Sequence, residues 1–298
     1  MSTRNAWLAA AVLAAIAAPA AAQQNITKRA NVAPDATIEV SNVQGSVAVT
    51  AWDRNEIELV AELESDKDKL EFEATPRIVR IEVDRPDGKY GRDHSEARLQ
   101  LKVPAGAVLV VDTVSADISV AGVRGEQDLE SVSGTIGTQA FDAPVKAASV
   151  SGDVTVTGTG GKAAVKTENV SGSATVTGVR GSFDGEVVSG EIRATIAAAE
   201  DIEVNSVSGD IAINAELTPS ARVEMESVSG TIELTIKPPV NADFDLESFS
   251  GDIDVCFGPK ARETSKFTPG TELSFTQGKG GARIELQTLS GEISICDR

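Results

Sequence analysis

The residues with the widest chemical repertoire lie together in the first third of the chain. His94 is the only histidine and Tyr90 is the only tyrosine, and Arg85, Lys89 and Arg92 surround them. A Ser-His-Asp triad would have to use this histidine as its general base, but no Gly-x-Ser-x-Gly nucleophile elbow accompanies it. We therefore predict no catalytic residue. If a localised site exists outside the repeats, we expect a binding loop in this stretch; the alternative is a solvated polar loop.

A second set of chemically active side chains recurs along the chain. Each is an acid or a hydroxyl directly after a small residue: Asp117, Thr135, Asp153, Ser173, Glu191, Asp210, Thr231, Asp252 and Glu292. Acids and hydroxyls mostly alternate, which favours a solvated face on which like charges are kept apart. Calcium requires six or more clustered oxygens, which no loop supplies, so we predict no metal site and no cofactor. Weak calcium binding at Glu191 and Asp210 is the alternative.

These side chains belong to a repeated box, of which Val150-Ser151-Gly152-Asp153-Val154 is representative. Its central small residue, which we call the marker, recurs as Ala116, Gly134, Gly152, Gly172, Gly190, Gly209, Gly230, Gly251 and Gly291. Successive markers are 18 to 21 residues apart, except for a last step of 40. Helical repeats need roughly 33 to 47 residues. The period therefore predicts an all-β fold, a β-solenoid (β-helix) whose coils of about 18–21 residues stack roughly 4.8 Å apart.

Apolar residues flank the marker on both sides. Two residues before it stands a valine, Phe249 or Leu289, and two residues after it stands mostly Ile or Val. Because side chains alternate across a strand, we predict that both columns face the core and that Ser151 and Asp153 face water. A second strand precedes each box. The alternation of apolar and polar residues in this strand breaks between five and two residues before the marker, which predicts a corner there.

The chain divides into four segments by composition. Residues 1–22 have the charged start (Arg4), the apolar run and the small-residue end of a secretory signal; the alternative is an alanine-rich cytosolic helix. Residues 23–34 form a polar leader. We predict an N-terminal β cap over residues 35–110 and the solenoid over residues 111–298, with an irregular insertion at 257–270. The signal predicts export to the periplasm or the cell surface.

The charge excludes several kinds of partner. The formal net charge is −18 at pH 7, from 45 acidic and 27 basic residues. Nucleic-acid binding needs a basic surface, so we expect no nucleic-acid partner. The apolar run at the start is too short to span a bilayer, and no other stretch is long and apolar enough, so we predict no transmembrane segment.

Two cysteines, Cys256 and Cys296, are the only ones in the chain. Each lies five residues after its marker, so both occupy the same place on two coils. If the coils are neighbours, the Cα atoms lie within the roughly 4.4–6.8 Å that a disulfide accepts. The spacing of 40 residues favours an intervening coil, whereas the proline-bearing stretch 257–270 favours a loop that leaves the stack. We predict the bond; two unpaired, packed thiols are the alternative.

The repeated Val-Ser-Gly-Asp-Ile box, the opening stretch 43–53 with Gly45 and Trp52, and the ending stretch 280–293 resemble a known bacterial family. Its members are described as putative adhesins, and the family is classed as a domain of unknown function. The resemblance covers roughly residues 35–298. It implies an exported β-solenoid protein and provides no catalytic residues to transfer.

These observations favour one function over two others. The first hypothesis is a non-enzymatic, exported scaffold or adhesin-like binding protein of the cell envelope. Its partner would be an envelope protein, a surface polymer or a second copy joined through strand edges. The second is a polysaccharide-acting β-helix lyase or hydrolase, but acids on nearly every coil provide no unique catalytic pair. The third is an envelope sensor or regulatory module.

Overall fold

The computed structural model describes residues 24–84, 95–263 and 270–297, and every regular element in these ranges is a β-strand. The strands are β1 (Gln24–Asn31), β2 (Thr37–Trp52), β3 (Glu56–Leu63), β4 (Lys69–Ala74), β5 (Ile78–Asp84), β6 (Ala97–Pro104), β7 (Val108–Ala121), β8 (Gln127–Ser131), β9 (Ile136–Ala140), β10 (Val145–Ser149), β11 (Val154–Gly158), β12 (Lys162–Asn169), β13 (Ala174–Val187), β14 (Glu191–Ser206), β15 (Asp210–Ser229), β16 (Ile232–Ile236), β17 (Ala242–Ser248), β18 (Ile253–Val255), β19 (Arg262–Glu263), β20 (Thr271–Gln277), β21 (Ala282–Ser290) and β22 (Ile293–Asp297). The predicted all-β class is confirmed.

Parallel pairing between successive coils builds the central part of the molecule. A coil consists of one strand before the marker and one after it, as in β10 and β11. β10 lies between β8 and β12, and β11 lies between β9 and β13. Val154 thus pairs with Ile136 on one side and with Ala174 on the other. Equivalent residues of neighbouring coils therefore stack in columns, and the core has the form of a parallel β-solenoid.

The core contains the apolar columns of both strands, with one correction to the sequence prediction. Val145, Ala147, Val154 and Val156 are buried, as predicted for their columns. Val150, two residues before its marker, is 43% exposed, so the prediction that this column faces inward was wrong. In the strand before the marker, the alternation of buried and exposed residues continues past the predicted break. The small polar residue three positions before the marker, such as Ser149, is therefore also buried. Two consecutive residues then face solvent at the corner.

Hydrogen bonds from small side chains stabilise this corner. The hydroxyl oxygens of Ser131, Ser149 and Ser206, each three residues before a marker, accept a hydrogen bond from the marker N–H at 2.8 Å. These serines are at most 6% exposed. A buried hydroxyl is tolerated when it is hydrogen-bonded. On these three coils the serine hydroxyl thus closes the turn, whereas two other coils bury Asn169 and Val187 at the same position.

Close stacking explains the glycine at the marker. A methyl group on Gly152 would lie 1.9 Å from the carbonyl oxygen of Gly134, and one on Gly209 would lie 1.9 Å from that of Gly190. These distances are far shorter than van der Waals contact, and the obstacle is backbone that cannot move aside. The marker is glycine because the backbone of the preceding coil lies directly against it.

We predict that Gly152→Ala destabilises the protein by at least about 2 kcal/mol, because the coils must separate locally to admit the methyl group. Gly137→Ala is the matched control. A methyl group there would lie 4.0 Å from the nearest atom, the Ile118 carbonyl oxygen, and we expect a change below about 1 kcal/mol. Chemical denaturation of the two variants measures both effects. Equal destabilisation by both would contradict the stacking account.

Both ends of the stack depart from the simple order of coils. At the N-terminal end, β2 lies between β7 and the pair β5 and β6. β3 then pairs antiparallel with β6, β1 with β3, and β4 with β5. At the C-terminal end, β21 lies between β15 and β17, and β20 pairs antiparallel with β17. The last coil in sequence therefore lies between the two coils that precede it in sequence.

This insertion makes the two cysteine-bearing coils neighbours. β22 pairs with β18 on one side and with β16 on the other. Cys256 and Cys296 are joined by a disulfide in the structure, with their Cα atoms 5.0 Å apart. Of the two arrangements that the spacing of 40 residues allowed, the structure has the one in which no coil intervenes.

We expect the protein to contain the Cys256–Cys296 disulfide in solution, because the paired coils hold the two side chains at bonding distance. Mass spectrometry after alkylation without reduction should find no labelled cysteine, and alkylation after reduction should find two. Two labelled thiols in the unreduced protein would contradict the bond.

Candidate functional site

The described residues expose a long column of large apolar side chains, which we call the apolar ladder. Its rungs stand two residues before each marker, and Val43 holds the same place before Gly45. In stacking order, the ladder consists of Val43, Val114, Val132, Val150, Val170, Val188, Val207, Val228, Leu289 and Phe249. These side chains are between 39% and 55% exposed. Ten aliphatic or aromatic side chains thus face solvent in one row.

Backbone hydrogen bonds that continue through the corner hold the rungs in register. The N–H of Val150 donates to the Ser131 carbonyl at 3.2 Å, and the N–H of Ser151 donates to the Val132 carbonyl at 2.9 Å. Equivalent bonds recur on the following coils. Ser229 pairs with Ser290, so Leu289 follows Val228 in the ladder. Each rung therefore lies one interstrand spacing, about 4.8 Å, from the next.

Two polar columns border the ladder. On one side, directly before the marker, stand serines from Ser115 to Ser290, such as Ser133 and Ser151. On the other side, four residues before the marker, stands an acidic column with three uncharged members: Asp112, Glu130, Ala148, Glu168, Glu186, Asn205, Glu226, Gln287 and Glu247. One flank of the ladder is therefore neutral and the other carries carboxylates.

A groove of about 1030 Å³ runs beside the ladder. The acidic column and the ladder form its sides, and the small residues three positions before the marker lie between them. It extends from Asp112 and Thr113 at one end to Leu289 and Phe249 at the other. The groove is thus continuous across nine coils, with an apolar side and an acidic side.

Two lysines neutralise part of the acidic side. Lys146 Nζ lies 2.6 Å from Glu130 Oε1, and Lys166 Nζ lies 2.9 Å from Glu186 Oε1 and 3.1 Å from Glu168 Oε1. The hydrogen bond to Glu186, followed by that to Glu168, raises the pKa of Lys166. Six carboxylates in the column against these two cations leave the groove negatively charged.

Asp112 lies at one end of the acidic column. Burial raises the pKa of its carboxyl group, and the nearby charges of Glu130 and Asp128 raise it further, while Lys146 acts in the opposite direction. At this end of the groove the carboxyl group of Asp112 therefore takes up a proton more readily than that of an isolated aspartate.

The acids directly after the marker have a structural role. Oδ1 of Asp117 accepts the N–H of Thr135 at 2.8 Å, Oδ1 of Asp153 accepts that of Ser173 at 2.9 Å, and Oδ1 of Asp210 accepts that of Thr231 at 2.8 Å. Each aspartate thus binds the backbone of the next coil, whose own residue at this position is a hydroxyl. The alternation seen in the sequence links successive coils as well as separating their charges.

The sites considered from the sequence have different outcomes. The loop residues Arg85, Lys89, Tyr90, Arg92 and His94 lie outside the described residues, so that binding loop stays a prediction. The two acids of the weak calcium alternative are otherwise engaged: Glu191 pairs with Arg193, and Asp210 binds Thr231. Among the residues that the structure describes, no group of three or more His, Cys, Asp or Glu side chains is placed to hold a metal ion.

The sequence contained a signal for the apolar ladder that the predictions missed. The column three residues before the marker consists of small or polar residues such as Thr113, Ser131, Ser149 and Asn169, all buried. Its members share the parity of the apolar residues seven and five positions before the marker. If the alternation of buried and exposed residues is continued to this column, Val150 is predicted to face solvent.

No helix in the described parts of the chain has the length and hydrophobicity needed to cross a membrane. This finding stands beside the sequence prediction, which found no apolar segment of sufficient length.

Comparison with known proteins identifies the family. Three solved structures are similar over nearly all of both chains. A putative cell adhesion protein from Clostridium sporogenes is 8% identical, with a TM-score of 0.28 over 92% of this chain and 100% of that one. A putative adhesin from Bacteroides fragilis is 13% identical, with a TM-score of 0.47 over 92% and 97%. A putative adhesin from Parabacteroides distasonis is 13% identical, with a TM-score of 0.36 over 93% of this chain and 98% of that one.

No curated protein matches the chain. The family model described as Toastrack DUF4097 matches residues 36–296, which include all the repeats and both ends of the stack. This match confirms the family resemblance that the repeated box indicated. Because it spans most of the chain, the protein belongs to the Toastrack DUF4097 family.

Proposed function

We propose that the protein is an exported, non-enzymatic, adhesin-like binding protein of the cell envelope, which contacts its partner through the apolar ladder and its groove. The observation that carries the proposal is the row of ten exposed apolar side chains on successive coils. Soluble proteins seldom expose large contiguous apolar patches, and those that they do expose mark interaction sites.

The fold itself does not require valine on this column. Other outward columns of the same coils carry polar residues, such as the exposed Thr155 and Thr175, three positions after their markers, and Thr195, five positions after its own. Threonine is also β-branched and suits a strand as well as valine does. Valine in place of threonine at nearly every rung therefore points to a contact that favours an apolar surface.

A binding role accounts for the groove better than catalysis does. Its carboxylates recur on successive coils, and no two of them are set apart from the rest by geometry. A polysaccharide hydrolase needs one acid and one base at a defined separation. The apolar ladder also contains a single aromatic side chain, Phe249, whereas sugar-binding sites commonly stack rings on several. A repetitive surface of this kind suits a long, low-specificity contact.

The ends of the molecule support export and a capped stack. We assign residues 35–110 as the N-terminal cap of a solenoid with 18–21-residue coils, because antiparallel β3 and β4 cover strands that would otherwise be free edges. Covered edges prevent strand pairing with other chains, which leaves the long flank for contacts. The signal-like residues 1–22 and the Cys256–Cys296 pair both suit an oxidising, extracytoplasmic compartment.

The experiment compares two triple variants of the mature protein. Val150→Thr, Val170→Thr and Val188→Thr together remove apolar surface from three central rungs while keeping side-chain shape. Thr155→Val, Thr175→Val and Thr195→Val make the reverse change on an exposed face away from the ladder. We expect the first variant to bind the envelope fraction of the producing bacterium at least about tenfold more weakly, since about 1.4 kcal/mol corresponds to tenfold.

Circular dichroism and thermal melting should show that both variants keep the fold, because all six side chains are exposed or half-exposed. Unchanged envelope binding by the first variant, or an equal loss in both, would contradict the assignment of the ladder as the binding surface.

A further inference from the structure

We infer that the partner of the apolar ladder is the same ladder on a second copy of this chain, in a side-by-side dimer with the two solenoid axes parallel. The inference rests on the proposed function in one respect, that the ladder is a binding surface. Three observations support it: the spacing of the rungs, the difference between the two flanking columns, and the groove beside the ladder.

The spacing of the rungs selects a stack of strands as the partner. The rungs are about 4.8 Å apart, the distance between neighbouring strands. An α-helix laid along the ladder presents side chains once per turn of about 5.4 Å, and loses register by half a rung after roughly four turns. An extended chain presents them on one face about every 6.8 Å. Only another column of stacked strands stays in register over ten rungs, and this chain presents one.

The flanking columns select the orientation of the second copy. If the two-fold axis runs parallel to the ladder, the acidic column of each copy meets the neutral serine column of the other. If the axis crosses the ladder within the interface, the acidic columns meet each other, with carboxylates such as Glu168 and Glu186 face to face. Like charges in contact are unfavourable. The parallel arrangement avoids this contact and brings each rung beside its own counterpart.

The groove accommodates the ladder of the second copy. It runs between the acidic column and the ladder, so a small lateral offset places each ladder in the other copy's groove. This offset is the same for both copies under a parallel two-fold axis. The apolar side chains are then covered from both sides, and the carboxylates stay at the rim, where water reaches them.

The size of the surface indicates a reversible association. Ten rungs span roughly 43 Å, and the four positions from the acidic to the serine column span roughly 10 Å. The two copies together would bury on the order of 900 Å², below the roughly 1,200 Å² at which stable specific interfaces begin and in the range of transient ones. Each copy also carries a formal net charge of −18. We therefore expect a dimer that forms with rising protein concentration and strengthens with added salt, which screens the repulsion.

The test uses variants of the mature protein in which one ladder residue is replaced by cysteine and the native pair Cys256 and Cys296 is retained. Val132→Cys, Val170→Cys and Val207→Cys are each exposed to a mild oxidant, and covalent dimers are measured by non-reducing electrophoresis. In the parallel dimer each rung lies beside the same residue of the second copy, so all three variants should form cross-linked dimers. Thr155→Cys, on an exposed face away from the ladder, is the matched control and should give several-fold less dimer.

Two other patterns would overturn the inference. In an antiparallel dimer Val132 would lie beside Val228, so Val132→Cys would cross-link only when mixed with Val228→Cys. Cross-linking no greater than that of Thr155→Cys, together with a single monomeric species in sedimentation velocity at high salt, would exclude self-association through the ladder. If the Val→Thr variant nevertheless loses envelope binding, the proposed function survives and the partner is another molecule. If the Val→Thr variant binds the envelope fraction normally and the ladder cysteines cross-link no more than Thr155→Cys does, both proposals fail.

Discussion

The close backbone contact at the corner of each coil is the constraint on which the rest of the structure depends. There the marker glycine passes over the carbonyl of the preceding glycine at a distance that excludes a Cβ atom. The N–H groups of the corner residues donate to the coil before, as those of Val150 and Ser151 do. The sheet is therefore not interrupted at the corner, and every coil must repeat the turn of its neighbour in the same place.

This constraint turns single residues into columns with collective properties. A buried serine three positions before the marker closes the turn with its hydroxyl, and the same bond recurs at Ser131, Ser149 and Ser206. An aspartate after the marker becomes a link to the backbone of the next coil. A half-exposed valine would mean little alone, but eight valines with Leu289 and Phe249 in register form an apolar strip along the molecule. The candidate function thus arises from repetition, not from any one residue.

The sequence predicted the elements that depend on local pattern. Strand alternation and the glycine spacing predict the period, the inward columns that contain Val154 and Val156, and the existence of a corner. The exposed position of Val150 could not be separated from a buried one by hydrophobicity. It depends on where the turn lies, and the hydrogen bond between Ser149 and Gly152 fixes that position.

The order of the coils at the C-terminal end was also beyond the sequence. The boxes around Gly230, Gly251 and Gly291 are alike, so the pattern does not indicate which coil stacks on which. The structure inserts the last coil between the two before it. The antiparallel strand β20 makes this path available, since it returns the chain along the outer edge of β17.

Spin-label distances along the ladder test the stacking of the columns most directly. Labels at Val150 and at a second rung, in protein diluted with unlabelled copies, should show separations that grow by about 4.8 Å per rung. Leu289 should lie closer to Val150 than Phe249 does, although it is 40 residues further along the chain. Separations that follow sequence order, with Phe249 the nearer of the two, would contradict the account.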